Sequence, residues 1–172
     1  MLSRLFGERR ERARLEPLYR AIVAAGRDPD WYQAGEVPDT VDGRFDMIAS
    51  VLALVLIRLE REGEAARTDS VLLTESFIDD MDSSLRQIGI GDFVVGKHVG
   101  RLVGALGGRL DAYRSALAGD GDLTDAVRRN VFRDSPPSPE AAQFVAAGLE
   151  RFHEGLDALS LEQMLGGALS GS

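Results

Sequence analysis

Cysteine is absent from the 172-residue chain, which excludes disulfides, thiolate metal ligands and a cysteine nucleophile, and fits a reducing compartment. Histidine is nearly absent. Only His98 and His153 could supply an imidazole, and neither sits in a recognisable nucleophile arrangement. Glu150-Arg-Phe-His153 has the spacing of a di-iron half-site, but no second such pair exists, so it reads as surface residues. Gly89-Ile90-Gly91 lacks the third glycine and the preceding strand of a dinucleotide fingerprint, and there is no Walker lysine motif. Asp80-x-Asp82-x-Ser84 opens like a calcium loop, yet Leu85 stands where glycine is required and Gly91 where a bidentate glutamate belongs. No catalytic residue, metal or cofactor is expected.

Long apolar runs are also missing. The longest, Met47 to Ile57, has eleven residues including Ser50 and is bounded by Asp46 and Arg58, whereas a membrane span needs about twenty. Met1 to Gly7 has no signal-peptide core and is expected to stay in the mature protein, which is expected to be cytoplasmic. Positive charge is in deficit. A formal charge of −8 repels phosphate backbones, so no DNA partner is expected. The exception is the basic segment 1–14, where Arg4, Arg9, Arg10, Arg12 and Arg14 face only Glu8 and Glu11. It could lie on an anionic inner-membrane surface or a ribosome, although a solvated, frayed helix start is the plainer reading.

What is present is helical periodicity, with 44% hydrophobic and 28% charged residues and no alternating strand pattern or internal repeat. Leu15, Leu18, Tyr19, Ile22 and Val23 form one stripe ending near Gly26, and Asp28-Pro29 caps a short turn carrying Trp31, a core plug. Asp39 or Thr40 starts a helix that is apolar on nearly every face from Phe45 to Leu59, as a buried central helix must be. Phe77, Ile78, Met81, Leu85 and Ile88 make an amphipathic helix, with Asp82 and Arg86 spaced for an ion pair. Gly89 suits a left-handed C-terminal cap and Asp92 an N-cap, so a short turn leads into a second stripe: Val95, Val99, Leu102, Val103, Leu106, Leu110, Tyr113 and Leu117. These two helices form a hairpin. Further on, Gly119 to Asp122 is a turn, Ser138 caps a helix through Phe152 and Leu156, and Ser160 to Gln163 has the form of a capping box.

The second hairpin helix carries Gly96, Gly100, Gly104, Gly108, Ala112 and Ala116 at every fourth position. The four glycines cost about 4 kcal/mol of helix propensity relative to alanine, which tertiary contact must offset. Packing against another helix of the same chain is the preferred reading, and a groove for a partner is the alternative. Asp79, Asp80 and Asp82 read as a helix face, with Asp80 expected to pair with Lys97 or Arg109 across the hairpin in preference to receiving a basic client segment.

The stretch Leu73 to Val99, followed by Gly108-Arg109 and Ala112-Tyr113, resembles the ubiquinol-cytochrome c chaperone family. Glu75, Phe77, Asp80, Met81, Asp82, Leu85, Arg86, Gly89, Gly91, Asp92, Val95, Gly96 and Lys97 carry the resemblance, which extends through Val37 to Phe45 and Arg129 to Phe132. It covers roughly Leu15 to the helix of His153. One departure is a family histidine after Phe45, replaced within Ile48-Ala49-Ser50-Val51. The expected organisation is the basic segment 1–14, a single helical domain over 15–165 and a flexible tail over 166–172. The fold expected is all-α, a compact bundle of about six to eight helices. The resemblance implies a non-enzymatic chaperone of cytochrome bc1 assembly that binds cytochrome b or another subunit, with a possible small assembly partner. Asp80, Asp82, Arg86, Asp92, Lys97, Arg109 and Tyr113 are its candidate partner-binding residues. A helical carrier or enzyme for an apolar small molecule such as a quinone is the rival.

Overall fold

The structure is a computed structural model that describes residues 2–170, with side chains described for Gly7 and from Arg9 onward. Within these residues every regular element is helical: α1 (Leu2–Gly26), α2 (Pro29–Gln33), α3 (Val41–Glu60), α4 (Arg67–Gln87), α5 (Asp92–Leu117), α6 (Leu123–Val127), α7 (Pro139–Asp157) and α8 (Leu161–Leu165). The fold is all-α, as expected from the periodicity. A 3-10 turn, Gly63–Ala66, leads into α4, and a π turn, Arg128–Phe132, extends α6.

The start signals act as their chemistry dictates. Asp28 accepts from Asp30 N at 2.9 Å, Thr40 from Gly43 N at 3.1 Å, Ser138 from Ala141 N at 3.2 Å, and Ser160 completes its capping box with Gln163. Each oxygen satisfies a backbone amide that its helix cannot pair internally. α1 passes through Leu15 without a break, so residues 2–14 of the basic segment and the following helix share one backbone rod.

Helix α3 is the axis of the molecule. Its residues from Phe45 to Leu59 are all buried, and α1, α4, α5, α7 and the π turn pack around it. A side chain with leucine's apolar area contributes about 1.5–3 kcal/mol when fully buried, so this helix supplies much of the hydrophobic stabilisation. Close approach at one end depends on Gly26, where an added Cβ would lie 2.7 Å from Ile48 Cα. Trp31 is half-buried and plugs the α2–α7 side, with Nε1 donating to Ala25 O at 2.8 Å and its ring edge-on to Phe144. Beyond α8, Ala168 and Leu169 pack against the core.

One polar cluster interrupts the apolar centre. Asp46 of α3 accepts from Arg109 of α5 at 2.7 Å and from Arg133 at 2.6 Å. Arg109 also donates to Asp46 O at 3.1 Å and to Asn130 O in the π turn at 2.5 Å. The π turn thus aims a backbone carbonyl inward to an arginine that is only 1% exposed. Beside it, the Tyr113 hydroxyl lies 2.9 Å from Ser50 Oγ. Burial raises the Tyr113 pKa. Ser50 therefore gives the core a short polar partner in the segment where the family histidine is missing.

Candidate functional site

The α4–α5 hairpin forms where it was expected. Gly89 adopts φ 85°, Gly89 N donates to Arg86 O at 3.0 Å and Ile90 N donates to Leu85 O at 3.2 Å, closing a Schellman turn. Gly91, not Asp92, occupies the N-cap position of α5. Asp92 is drawn instead to Arg86, which also pairs with Asp82 at 2.7 Å. A charge-assisted bond to a guanidinium competes better for this carboxylate than a neutral backbone amide does. Both carboxylates hold the Arg86 pKa above its ordinary value, Asp82 contributing more.

The other candidate residues scatter. Asp80 accepts from the Tyr19 hydroxyl of α1 at 2.8 Å and pairs with neither Lys97 nor Arg109, correcting the expected cross-hairpin bridge. Burial, then the Asp80 bond, pushes the Tyr19 pKa up. Arg109 and Tyr113 lie inside the bundle and offer nothing to a partner, a second correction. Their places on the inner stripe of α5 point them at Asp46 and Ser50 of α3, contacts that no local pattern could announce. Lys97 is exposed on α5. Asp82, Arg86 and Asp92 do come together, at the hairpin bend.

Arginines of the basic segment are partly committed. Arg12 pairs with Glu75 at 2.8 Å and Asp79 at 2.9 Å, and Arg14 pairs with Asp69, so both clasp α1 to α4. Arg9 and Arg10 are exposed, and the side chain of Arg4 lies outside the described residues.

The glycine row of α5 faces outward, which overturns the preferred expectation of internal packing. An added Cβ at Gly96, Gly100, Gly104, Gly107 or Gly108 would meet no atom within 4 Å. The buried stripe is Val95, Leu102, Leu106, Arg109 and Tyr113, on the opposite side. Beside the glycines stand Phe93, 86% exposed, with Val94 and Val103 also exposed and Ile88 at the bend. Phe93, Gly96, Gly100, Val103, Gly107 and Leu110 repeat at steps of three and four, a second helical seam alongside the buried one. Sequence reasoning missed Phe93 and Val94. Their phase, off the Val95–Leu102 stripe and next to the glycines, is the signal that could have found them.

Charge borders this seam. Lys97 and Arg101 are exposed on it, and Arg101 approaches His98 Nδ1 at 3.2 Å while His98 Nε2 lies 2.9 Å from Asp42 Oδ1 at the start of α3. The arrangement can receive another helix at short range and orient it. Nucleophilic machinery does not converge on it. Among the described residues no group of three or more His, Asp or Glu could hold a metal, and no helix is long and apolar enough to cross a membrane. His153 is buried with Nδ1 unpartnered, and burial lowers its pKa.

The family model for ubiquinol-cytochrome C chaperones matches residues 33–170. The chain belongs to the ubiquinol-cytochrome c chaperone family. The matched span begins later than the resemblance read from the sequence and continues past α8, into segments that carried no recognisable motif. Among solved structures, the chain is similar to the Cbp3 homolog from Brucella abortus, with 32% identity and a TM-score of 0.78 over 99% of this chain and 96% of that one. No curated protein matches the chain. For this family member, the seam on α5 and the ion cluster at the hairpin bend form the candidate site.

Proposed function

We propose that this protein is an assembly chaperone of the cytochrome bc1 complex that holds newly made cytochrome b, or another subunit of that complex, on the outer face of α5. The observation carrying this reading is Phe93, 86% exposed beside glycines whose Cβ positions are empty. Folding within the chain gives no return for five glycines in one helix, which together cost about 4–5 kcal/mol relative to alanine. A client helix does give one, because nearly bare backbone admits close helix–helix contact while an aromatic anchor fills a gap on the client. The action is binding, without covalent chemistry.

Asp82, Arg86, Asp92 and Lys97 rim the apolar face and set the client's orientation, as charged rims do at protein interfaces. Exposed Arg9 and Arg10 offer a contact to anionic lipid or a ribosome, where a client chain emerges, and would place the chaperone at the edge of the inner membrane. The test is copurification from cells carrying the tagged chain. Cytochrome b is expected with the wild type and is expected to be lost from the double variant Phe93→Ser/Gly100→Leu. Equal recovery with both would refute the reading.

A further inference from the structure

Where α4 and α5 diverge from their hairpin, a surface trough of about 350 Å³ opens between them. Leu56 of α3 forms its floor, Leu110 of α5 and Val71 of α4 its walls, and Val71 is 52% exposed. Ser70 and Thr74 also line it, yet their hydroxyls already donate to Ala66 O at 3.1 Å and Ser70 O at 2.9 Å. With those polar atoms satisfied inside α4, the trough offers mainly carbon surface. It lies at the end of the α5 seam, since Leu110 belongs to both.

Each side of the trough carries an unbalanced ion triad. On the α1 side one guanidinium, Arg12, is shared by Glu75 and Asp79. On the α5 side one guanidinium, Arg114, is shared by Glu60 at 2.6 Å and Asp111 at 2.8 Å. One positive against two negative groups leaves each rim net negative, and Glu60 and Glu75 themselves line the trough. These carboxylates are about half exposed, so exchanging or adding a cationic partner costs little.

We propose that this trough seats the end of an apolar client helix at the point where basic residues follow it: the apolar side chain enters against Leu56 and Leu110, and the cations settle on the Glu60 and Glu75 rims. Membrane helices carry that apolar-to-basic boundary at their cytoplasmic ends. The trough thereby reads one end of a client that the glycine face holds along its length. This inference rests on the client-holding role of α5 and adds the chemistry and polarity of what is held.

The experiment titrates the full chain with a fluorescent peptide of about ten leucine and alanine residues followed by about four lysines, and with its counterpart ending in glutamates. The lysine peptide is expected to bind at least about tenfold tighter, with the difference shrinking as salt is raised. Val71→Lys, at an exposed position, is expected to abolish binding, and Glu60→Gln/Glu75→Gln to weaken it about three- to tenfold. Equal binding of both peptides, or unchanged binding by Val71→Lys, overturns the proposal. So does a concentration-dependent dimer in light scattering that Val71→Lys disperses, which would make the trough a self-interface. If cytochrome b copurifies undiminished with the Val71→Lys chain, the trough assignment falls and the α5 assignment stands. If the lysine peptide binds as expected but wild-type chain recovers no cytochrome b, the trough stands and the client is misassigned.

Discussion

Helices α3 and α5 lie against each other, are both long and are both rich in apolar residues, yet they solve opposite problems. Between Phe45 and Leu59, α3 is enclosed on every face, including the face of small residues Asp46, Ala49, Ser50 and Ala53, whose Asp46 and Ser50 meet Arg109 and Tyr113 of α5. α5 keeps its large side chains on one side and on the other reduces them to hydrogen at five glycines, leaving Phe93 standing in solvent. Apolar composition alone therefore does not separate a fully enclosed helix from one with an open face. What separates them is cover: the thin face of α3 lies under side chains of α5, whereas the glycine face of α5 has no atom over it.

The sharpest break of this contrast lies at the polar tie between the two helices. Asp46→Ala leaves Arg109 buried without its carboxylate and is expected to cost about 3–5 kcal/mol in chemical denaturation. Replacing both buried partners, Asp46→Leu with Arg109→Met, is expected to recover part of that loss, since the buried charge and its counterion leave together while the part-exposed Arg133 turns to water and Asn130 O loses its donor. On α3 itself, Leu54→Ala, at a fully buried position, is expected to cost about 2–5 kcal/mol.

On the open face of α5 the sign reverses. Gly100→Ala and Gly104→Ala are each expected to stabilise the protein by about 0.8–1 kcal/mol, read as a higher thermal midpoint. Bulkier Gly104→Leu is expected to be tolerated in folding while cytochrome b recovery drops. A loss of stability at either glycine would mean that the face is packed after all.

The smallest effect expected is a pH dependence. Burial holds His153 below its ordinary value of 6.5, with Asp157 and Glu154 opposing the shift and Arg61 adding to it. The unfolded chain then binds the proton more readily, so the contribution of this group is fully present above pH 6.5 and is lost as pH falls toward the depressed value. His153→Leu is expected to make the decline in stability from neutral to mildly acidic pH shallower than in the wild type. An unchanged slope would assign that decline to carboxylates elsewhere.

Much of the fold was legible because its signals are local. Ser138 and Ser160 could be recognised as caps, and Thr40 as one of two candidates beside Asp39, because each needs only the amides of the next turn, and Gly89 because the Schellman turn closes within six residues. The cap expected of Asp92 was displaced by Arg86, a competitor across the turn whose charge a local pattern does not weigh. Candidate residues separated by the same distance problem: Asp80 turned to Tyr19 and Arg109 to Asp46, partners 61 and 63 positions away.

By itself the sequence determined an all-helical chain, the enclosure of α3, the hairpin and the absence of thiol chemistry, since each follows from residue type and spacing along one axis. Tertiary structure alone decided that the glycine face of α5 is left uncovered while the leucine and valine stripe is buried. One side gathers valine, leucine and tyrosine around the buried Arg109, the other is glycine bordered by Lys97 and Arg101, and spacing alone does not say whether the glycine side is covered. Burial went to the larger side chains because they remove more apolar area from water, and the thin face was left outward.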